Sequence, residues 1–180
     1  KVSDDNNENV WDILIYGKDK KPLQTALDSR GVVYSQGDFY DFKKKKDLDK
    51  AISDFEGELK LYPDSWRSKT KLWRILMRRN PDENLTKNIR ENIDQLYEKN
   101  SSNDEALLSI LPWFEAINQK LKGDSLRNLA IASNPKGAVA KNTALRNAYN
   151  EKDPAKRTAG LKDLLDNYKL DVMEKVNILM

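Results

Sequence analysis

A helix pair that recurs at a fixed distance constrains this chain more than any other feature. Tyr62-Pro63-Asp64-Ser65 and Asn134-Pro135-Lys136-Gly137 each precede a helical pattern, and Pro63 and Pro135 stand 72 residues apart, two units of 36. Midway lies a turn cluster, Asn100-Ser101-Ser102-Asn103. After each of Pro63 and Pro135 comes a helix and then a second proline, Pro81 or Pro154, preceded by Asn80 or Asp153. A short polar side chain can accept a free amide of the first turn, and proline has no amide there to leave unbonded. Asn-Pro and Asp-Pro therefore predict helix starts. The second helix of each pair carries apolar residues on one face: Leu85, Ile89, Ile93 and Leu96 in one, Leu161, Leu164, Leu165 and Tyr168 in the other. One such pair cannot bury its apolar face alone. Pairs at this period do so by stacking on their neighbours, which is the plan of an α-solenoid.

The middle unit follows the same plan. Ser102 and Glu105 have the spacing of a capping box, and Leu107, Ile110, Leu111, Phe114, Ile117 and Leu121 form one apolar stripe. Pro112 falls inside that stripe and predicts a kink costing about 3 kcal/mol if nothing compensates. Gly123 reads as the stop of this helix and Asp124 as the cap of the next. Asp171 and Glu174 form a second capping box, opening a last helix with Val172, Val176 and Leu179 on one face.

Residues 1–22 read differently. Val10-Trp11-Asp12-Ile13-Leu14-Ile15-Tyr16 is β-branched and aromatic, and turn-forming segments bound it on both sides, ending in Gly17-Lys18-Asp19-Lys20-Lys21-Pro22. This predicts a strand. A lone strand cannot satisfy its own backbone, so it pairs with Lys1-Val2-Ser3 or with strands of a neighbouring domain. The absence of an initiator Met reads as a segment cut from a longer protein.

Composition narrows the chemistry. The chain has no Cys and no His. Disulfides, thiol redox chemistry, Cys/His zinc sites, cysteine nucleophiles and Ser-His-Asp triads are excluded within it. The expected cofactor and metal complement is none. Lys+Arg 32 against Asp+Glu 29 leaves a net charge of +3 with the signs interspersed, which marks no nucleic-acid footprint. No apolar run approaches the roughly eighteen residues of a membrane span.

The sharpest motif lies in the first unit. Ala51, Phe55 and Pro63 stand at the offsets of the small, aromatic and proline positions in the second helix of a tetratricopeptide repeat, and Gly31 and Tyr34 match the first-helix spacing. A small residue lets the paired helix approach closely, an aromatic one turn later fills the groove, and proline stops the helix. Glu58 departs from the pattern, which has a small residue there, and an insertion at 37–46 separates the two helices. The chain thus reads as mainly α: a short N-terminal β segment over 1–22, then about four helix pairs over 23–180 stacked as a right-handed, tetratricopeptide-like solenoid.

Two stretches resemble something more particular. Val10–Pro22 resembles the exit from an immunoglobulin-like sandwich. Asp47–Ala51 through Leu61–Ser65 resembles the helical repeats that follow it in a family of exported bacterial thioredoxin-like thiol-disulfide oxidoreductases. Asn134–Gly137 and Glu151–Lys156 are similar to the later repeats of that family. The resemblance implies a middle region between a sandwich and a redox domain, a periplasmic or envelope location and a scaffold role. The family's Cys-x-x-Cys has no counterpart here, so no catalytic residue carries over.

The candidate partner-binding residues are Trp66, Arg67, Trp73, Arg74 and Trp113. Solenoids bind along a concave face and Trp is enriched at binding hot spots, whereas aromatics at helical spacing also serve inter-helix packing. Of these, Trp66 stands in a first turn and is the expected exposed exception. With Arg78 and Arg79, the two arginines give their helix a basic face suited to an acidic or carboxylate-bearing partner. Lys43-Lys44-Lys45-Lys46 reads as a solvated loop diluted by Asp41, Asp47 and Asp49. Asp163 and Asp166 read as solvated carboxylates. The expected function is a non-enzymatic module that binds a protein or peptide or acts as a spacer. The alternatives are a glycan- or peptide-handling component of an envelope assembly, which predicts exposed coplanar Trp, and a carboxylate- or lysine-based enzyme, which predicts a deep pocket.

Overall fold

The computed structural model describes residues 14–36 and 46–179. Among the described residues the chain is mainly helical and contains no strand. In order the helices are α1 (Ala26–Gln36), α2 (Leu48–Leu61), α3 (Trp66–Arg79), α4 (Glu83–Lys99), α5 (Asp104–Ala116), α6 (Lys120–Ser133), α7 (Ala138–Asn150), α8 (Pro154–Asn167) and α9 (Val172–Leu179). They fall into two compact units, Lys1–Asn88 and Ile89–Met180, divided inside α4. Helices α1, α3, α5, α7 and α9 open at Ala26, Trp66, Asp104, Ala138 and Val172, at intervals of 40, 38, 34 and 34 residues. The interval is near the expected period but not constant.

The expected β segment is corrected. Residues 1–13 lie outside the described residues, as do 37–45 with most of the lysine run. Leu14, Ile15 and Tyr16 form no strand. A single antiparallel bridge joins Tyr16 to Pro22. Gly17 N donates to Lys21 O and Leu23 N to Ile15 O, both at 2.8 Å, which closes a turn rather than a sheet. Strand composition favours a strand only where a second strand is present to pair and cover it. Here the returning chain offers a bridge and then enters α1, and Ile15 and Tyr16 stay exposed.

In the first unit α1 packs on α2, and α2 on α3. Ala51 and Phe55 are fully buried and form the core with Ile75, surrounded by Val32, Tyr34, Ile52 and Leu72. Gly31 lies directly over the Phe55 ring: a Cβ added there would stand 2.8 Å from Phe55 Cε1. The glycine of α1 and the aromatic of α2 are thus one contact. Arg30 grips the buried Asp54 through both Nε (2.8 Å) and a terminal nitrogen (2.5 Å), tying α1 to α2 a second time. Tyr62 donates its hydroxyl to Pro22 O at 2.9 Å, holding the end of α2 to the segment before α1.

Glu58, the departure from the repeat pattern, has a structural use. It is fully buried, and its Oε1 accepts the Thr25 amide at 2.6 Å. Thr25 has a left-handed backbone, φ 73°, and stands immediately before α1. The carboxylate of α2 therefore satisfies an amide at the start of α1, as a local cap would. Its second oxygen has no hydrogen-bond partner.

In the second unit α5 packs on both α6 and α7, α6 on α7, and α7 on α8. Leu107, Leu111, Ala130 and Val139 form a core with Tyr97, Leu108, Leu126 and Ile131 against it. Tyr97 meets Phe114 edge to face at 6.4 Å. Asp104 at the start of α5 accepts the Ala138 amide at 2.7 Å and the Asn134 side-chain amide at 3.0 Å. The first residue of α5 thereby caps the start of α7.

Several boundaries differ from expectation. Asp82, not Asn80, accepts the Leu85 amide and opens α4. Asn103 caps α5 by accepting the Ala106 amide at 3.1 Å, one residue beyond the predicted Ser102. The expected stop at Gly123 is also corrected: α5 ends at Ala116. Asn118 adopts φ 62°, Gln119 N donates to Phe114 O at 2.7 Å, and Asn118 N donates to Glu115 O at 3.0 Å. These two bonds make a Schellman stop, with asparagine in the left-handed position that glycine most often fills. Gly123 instead lies inside α6, where a Cβ would stand 2.7 Å from Phe114 Cβ. It is a close-approach glycine, and Asp124, inside the same helix, caps nothing. Two predicted starts match: Asp153 accepts the Ala155 and Lys156 amides ahead of Pro154, and Asp171 and Glu174 exchange reciprocal bonds at 2.7 and 2.8 Å.

Candidate functional site

Helices α1 and α3 meet through one buried carboxylate. Asp28 of α1 is 3% exposed. One oxygen accepts the Ser68 hydroxyl at 2.9 Å and the other accepts Lys71 Nζ at 2.6 Å, both from α3. A carboxylate buried this far needs such partners, because an unpaired charge there would cost several kcal/mol. Ser65 caps α3 and also donates its hydroxyl to Ser68 Oγ at 3.3 Å, so the cap and the interhelical link are one network.

Above this link runs an open groove of about 500 Å3 lined by Thr25 just before α1, by Asp28, Ser29 and Val32 from α1 and by Arg67 and Lys71 from α3. Asp28, Ser29 and Val32 follow helical spacing, which puts them on one face. That wall presents hydroxyls, the Asp28 carboxylate and one aliphatic side chain. The α3 wall is cationic. The Arg67 guanidinium, which lines the groove, stacks on the Trp66 ring with its carbon 4.3 Å from the centroid.

The five predicted partner-binding residues separate here. Arg67 lines the groove and the half-buried Trp66 flanks it. Arg74 is exposed on the same helix. Trp73 is 4% exposed and belongs to the packing of α3, and Trp113 is 6% exposed and belongs to the second unit. The groove residues that sequence reasoning missed are Thr25, Asp28, Ser29, Val32 and Lys71. A signal existed in Asp28, an acid on the inward side of α1 beside buried Leu27 and Gly31. Its partners, Ser68 and Lys71, lie about forty residues on, and only the fold joins them.

The arrangement is suited to binding. Among the described residues no group of three or more His, Cys, Asp or Glu could hold a metal ion. Asp163 accepts the Asn167 side-chain amide at 2.7 Å on the exposed face of α8. The shifted titrations lie away from the groove. Burial raises Tyr97, amide donation from Lys50 lowers Asp47, and the Lys141 ammonium with the Asp171 amide lowers Glu174. No described helix is long and apolar enough to cross a membrane. Comparison with protein-family models, with characterised proteins and with solved structures finds no match for this chain.

Proposed function

We propose that this chain is a non-enzymatic interaction module whose helix pairs are successive copies of one tetratricopeptide-like unit, and that it binds a protein or peptide segment in the α1–α3 groove. The observation that carries the reading is the Asp28 link. It holds the first helices of consecutive pairs side by side and leaves between them a groove with hydroxyls on one wall and cations on the other. An extended segment needs both hydrogen-bond partners for its backbone and pockets for its side chains. The openness of the groove weighs against a carboxylate- or lysine-based enzyme, whose groups would need a water-excluding pocket. The burial of Trp73 and Trp113 weighs against a glycan platform.

The resemblance of Asp47–Ser65, Asn134–Gly137 and Glu151–Lys156 to the repeats of exported thioredoxin-like proteins supports a middle-region role in the cell envelope. A Cys-x-x-Cys domain downstream in the same reading frame is the expected finding, and a frame without one removes that part of the proposal.

Interaction is separated from spacing by filling the groove. Ser29 is exposed, so Ser29→Trp blocks the groove without touching the core. A partner captured by the unaltered chain should be lost by Ser29→Trp and kept by Lys156→Trp on the exposed side of α8. Equal capture by all three places binding outside the groove, and capture of no partner by any of them leaves a spacer.

A further inference from the structure

Helix α3 carries a cationic stripe that runs beyond the groove. Its sequence, Trp66 to Arg79, contains no acidic residue. Arg67, Lys71, Arg74 and Arg78 stand at i, i+4, i+7 and i+11, so a helix of 100° per residue places them within about 60° of one another along roughly 16 Å. The buried residues of α3, Ser68, Thr70, Trp73 and Ile75, occupy the other sides. Lys71 is neutralised by Asp28. Arg79, off the stripe, pairs with Asp49. Arg74 and Arg78 are exposed and have no ion-pair partner among the described residues. Two arginines one turn apart on a face of one sign repel each other, and no carboxylate among the described residues pairs with either.

We infer that the occupant of this surface is an acidic protein segment in extended conformation, with carboxylates at every second residue that pair with Arg74 and Arg78 while its flanking residues lie in the groove. This rests on the interaction reading of the groove. The spacing carries the choice. Successive side chains on one face of an extended chain are about 6.6–6.8 Å apart, and one helical turn separates Arg74 from Arg78 by about 6 Å. Each guanidinium can take a carboxylate bidentately. A nucleic acid fits less well. The stripe is one helix wide, Asp28 lies within the groove, and the chain as a whole is nearly balanced in charge.

The test is fluorescence anisotropy of labelled octapeptides of alternating Glu-Ser and alternating Gln-Ser, with a single-stranded oligonucleotide and phosphatidylserine vesicles as further probes. The expected result is binding of the Glu-Ser peptide at least about tenfold tighter than the Gln-Ser peptide. Arg74→Glu with Arg78→Glu should lose that preference, the Arg74→Gln and Arg78→Gln pair should lose part of it, and Lys156→Glu should leave it intact. Both arginines are exposed, and circular dichroism of each variant checks that the helices persist. Equal binding of the two peptides, abolished by Ser29→Trp, overturns the acidic preference and leaves the groove reading standing. No binding of either peptide overturns the inference. An oligonucleotide or vesicle bound more tightly than the peptide, and released by the same charge reversal, also overturns it by showing a phosphate surface.

Discussion

Substituting Gly31 by alanine tests the joint that makes α1 and α2 a pair. The new Cβ would stand 2.8 Å from Phe55 Cε1 and 3.0 Å from both Cδ1 and Cζ. Carbon atoms pack at about 3.5–4.0 Å, so the ring would have to retreat by roughly 0.7 Å or more. Phe55 is fully buried with Ala51 and Ile75 in the same cluster, and gives way only by displacing them. Overpacking of this kind costs about 1–3 kcal/mol. Against it, alanine in a helix interior is favoured over glycine by about 1 kcal/mol. The expected net effect is a destabilisation of about 1 kcal/mol, read by urea denaturation followed by circular dichroism.

The companion variant separates the clash from general disturbance. Phe55→Leu removes the ring, at a cost of about 1–2 kcal/mol by loss of buried area. In the double variant the alanine meets no ring and keeps its helix preference. The coupling between the two sites should therefore be favourable by about 1 kcal/mol or more. Additive losses, or a Gly31→Ala chain more stable than the parent, would refute the claim that the glycine is there for the aromatic.

Further outcomes follow from single contacts. Asp28→Ala leaves Lys71 and the Ser68 hydroxyl without their acceptor and should destabilise the first unit by about 2 kcal/mol in the same denaturation assay, since Lys71 keeps some access to water. Asn118→Gly should stabilise by a few tenths to about 1 kcal/mol, and Asn118→Val should destabilise by about 1 kcal/mol, because only residues tolerant of φ 62° fit the stop of α5. Glu174 is held below the ordinary glutamate range by Lys141 and the Asp171 amide. Its contribution to docking α9 on α7 is therefore complete above the unfolded value, about pH 4.3, and disappears as pH falls through the lower folded value. Hydrogen exchange across α9 should accelerate in that acid window, and Glu174→Gln should remove the dependence.

What could be read in advance divides by the range of the interaction. Asp153-Pro154 and the Asp171/Glu174 box are local chemistry, where donor and acceptor lie within three residues, and both starts stand where spacing puts them. The spacing marked Gly31 and Phe55 as repeat positions, but that they touch is set by the packing of α1 on α2 across the insertion at 37–46. The stop of α5 was not legible, because asparagine in the left-handed position looks like any polar residue and Gly123, five residues beyond the actual stop Asn118, looks like a better one. Of the predicted strand Val10–Tyr16, only Leu14–Tyr16 are described, and they form no more than a bridge, because composition records a preference that only a paired strand realises. The groove was half legible. Arg67 and Arg74 share a helix face that can be counted along the sequence. Asp28 meets Ser68 and Lys71 across forty residues or more, and that meeting depends on how two helix pairs stack.

Hydrogen exchange of the chain with and without the alternating Glu-Ser peptide reports at every amide where a bound segment is felt. The predicted seating of the segment on the α1–α3 groove slows exchange only over the turn and first helix, Thr25–Val32, and over Trp66–Arg78. Protection centred instead on the exposed apolar residues of α6 or α9, Leu121, Leu129, Val172 and Met173, with α1 and α3 unchanged, would contradict it.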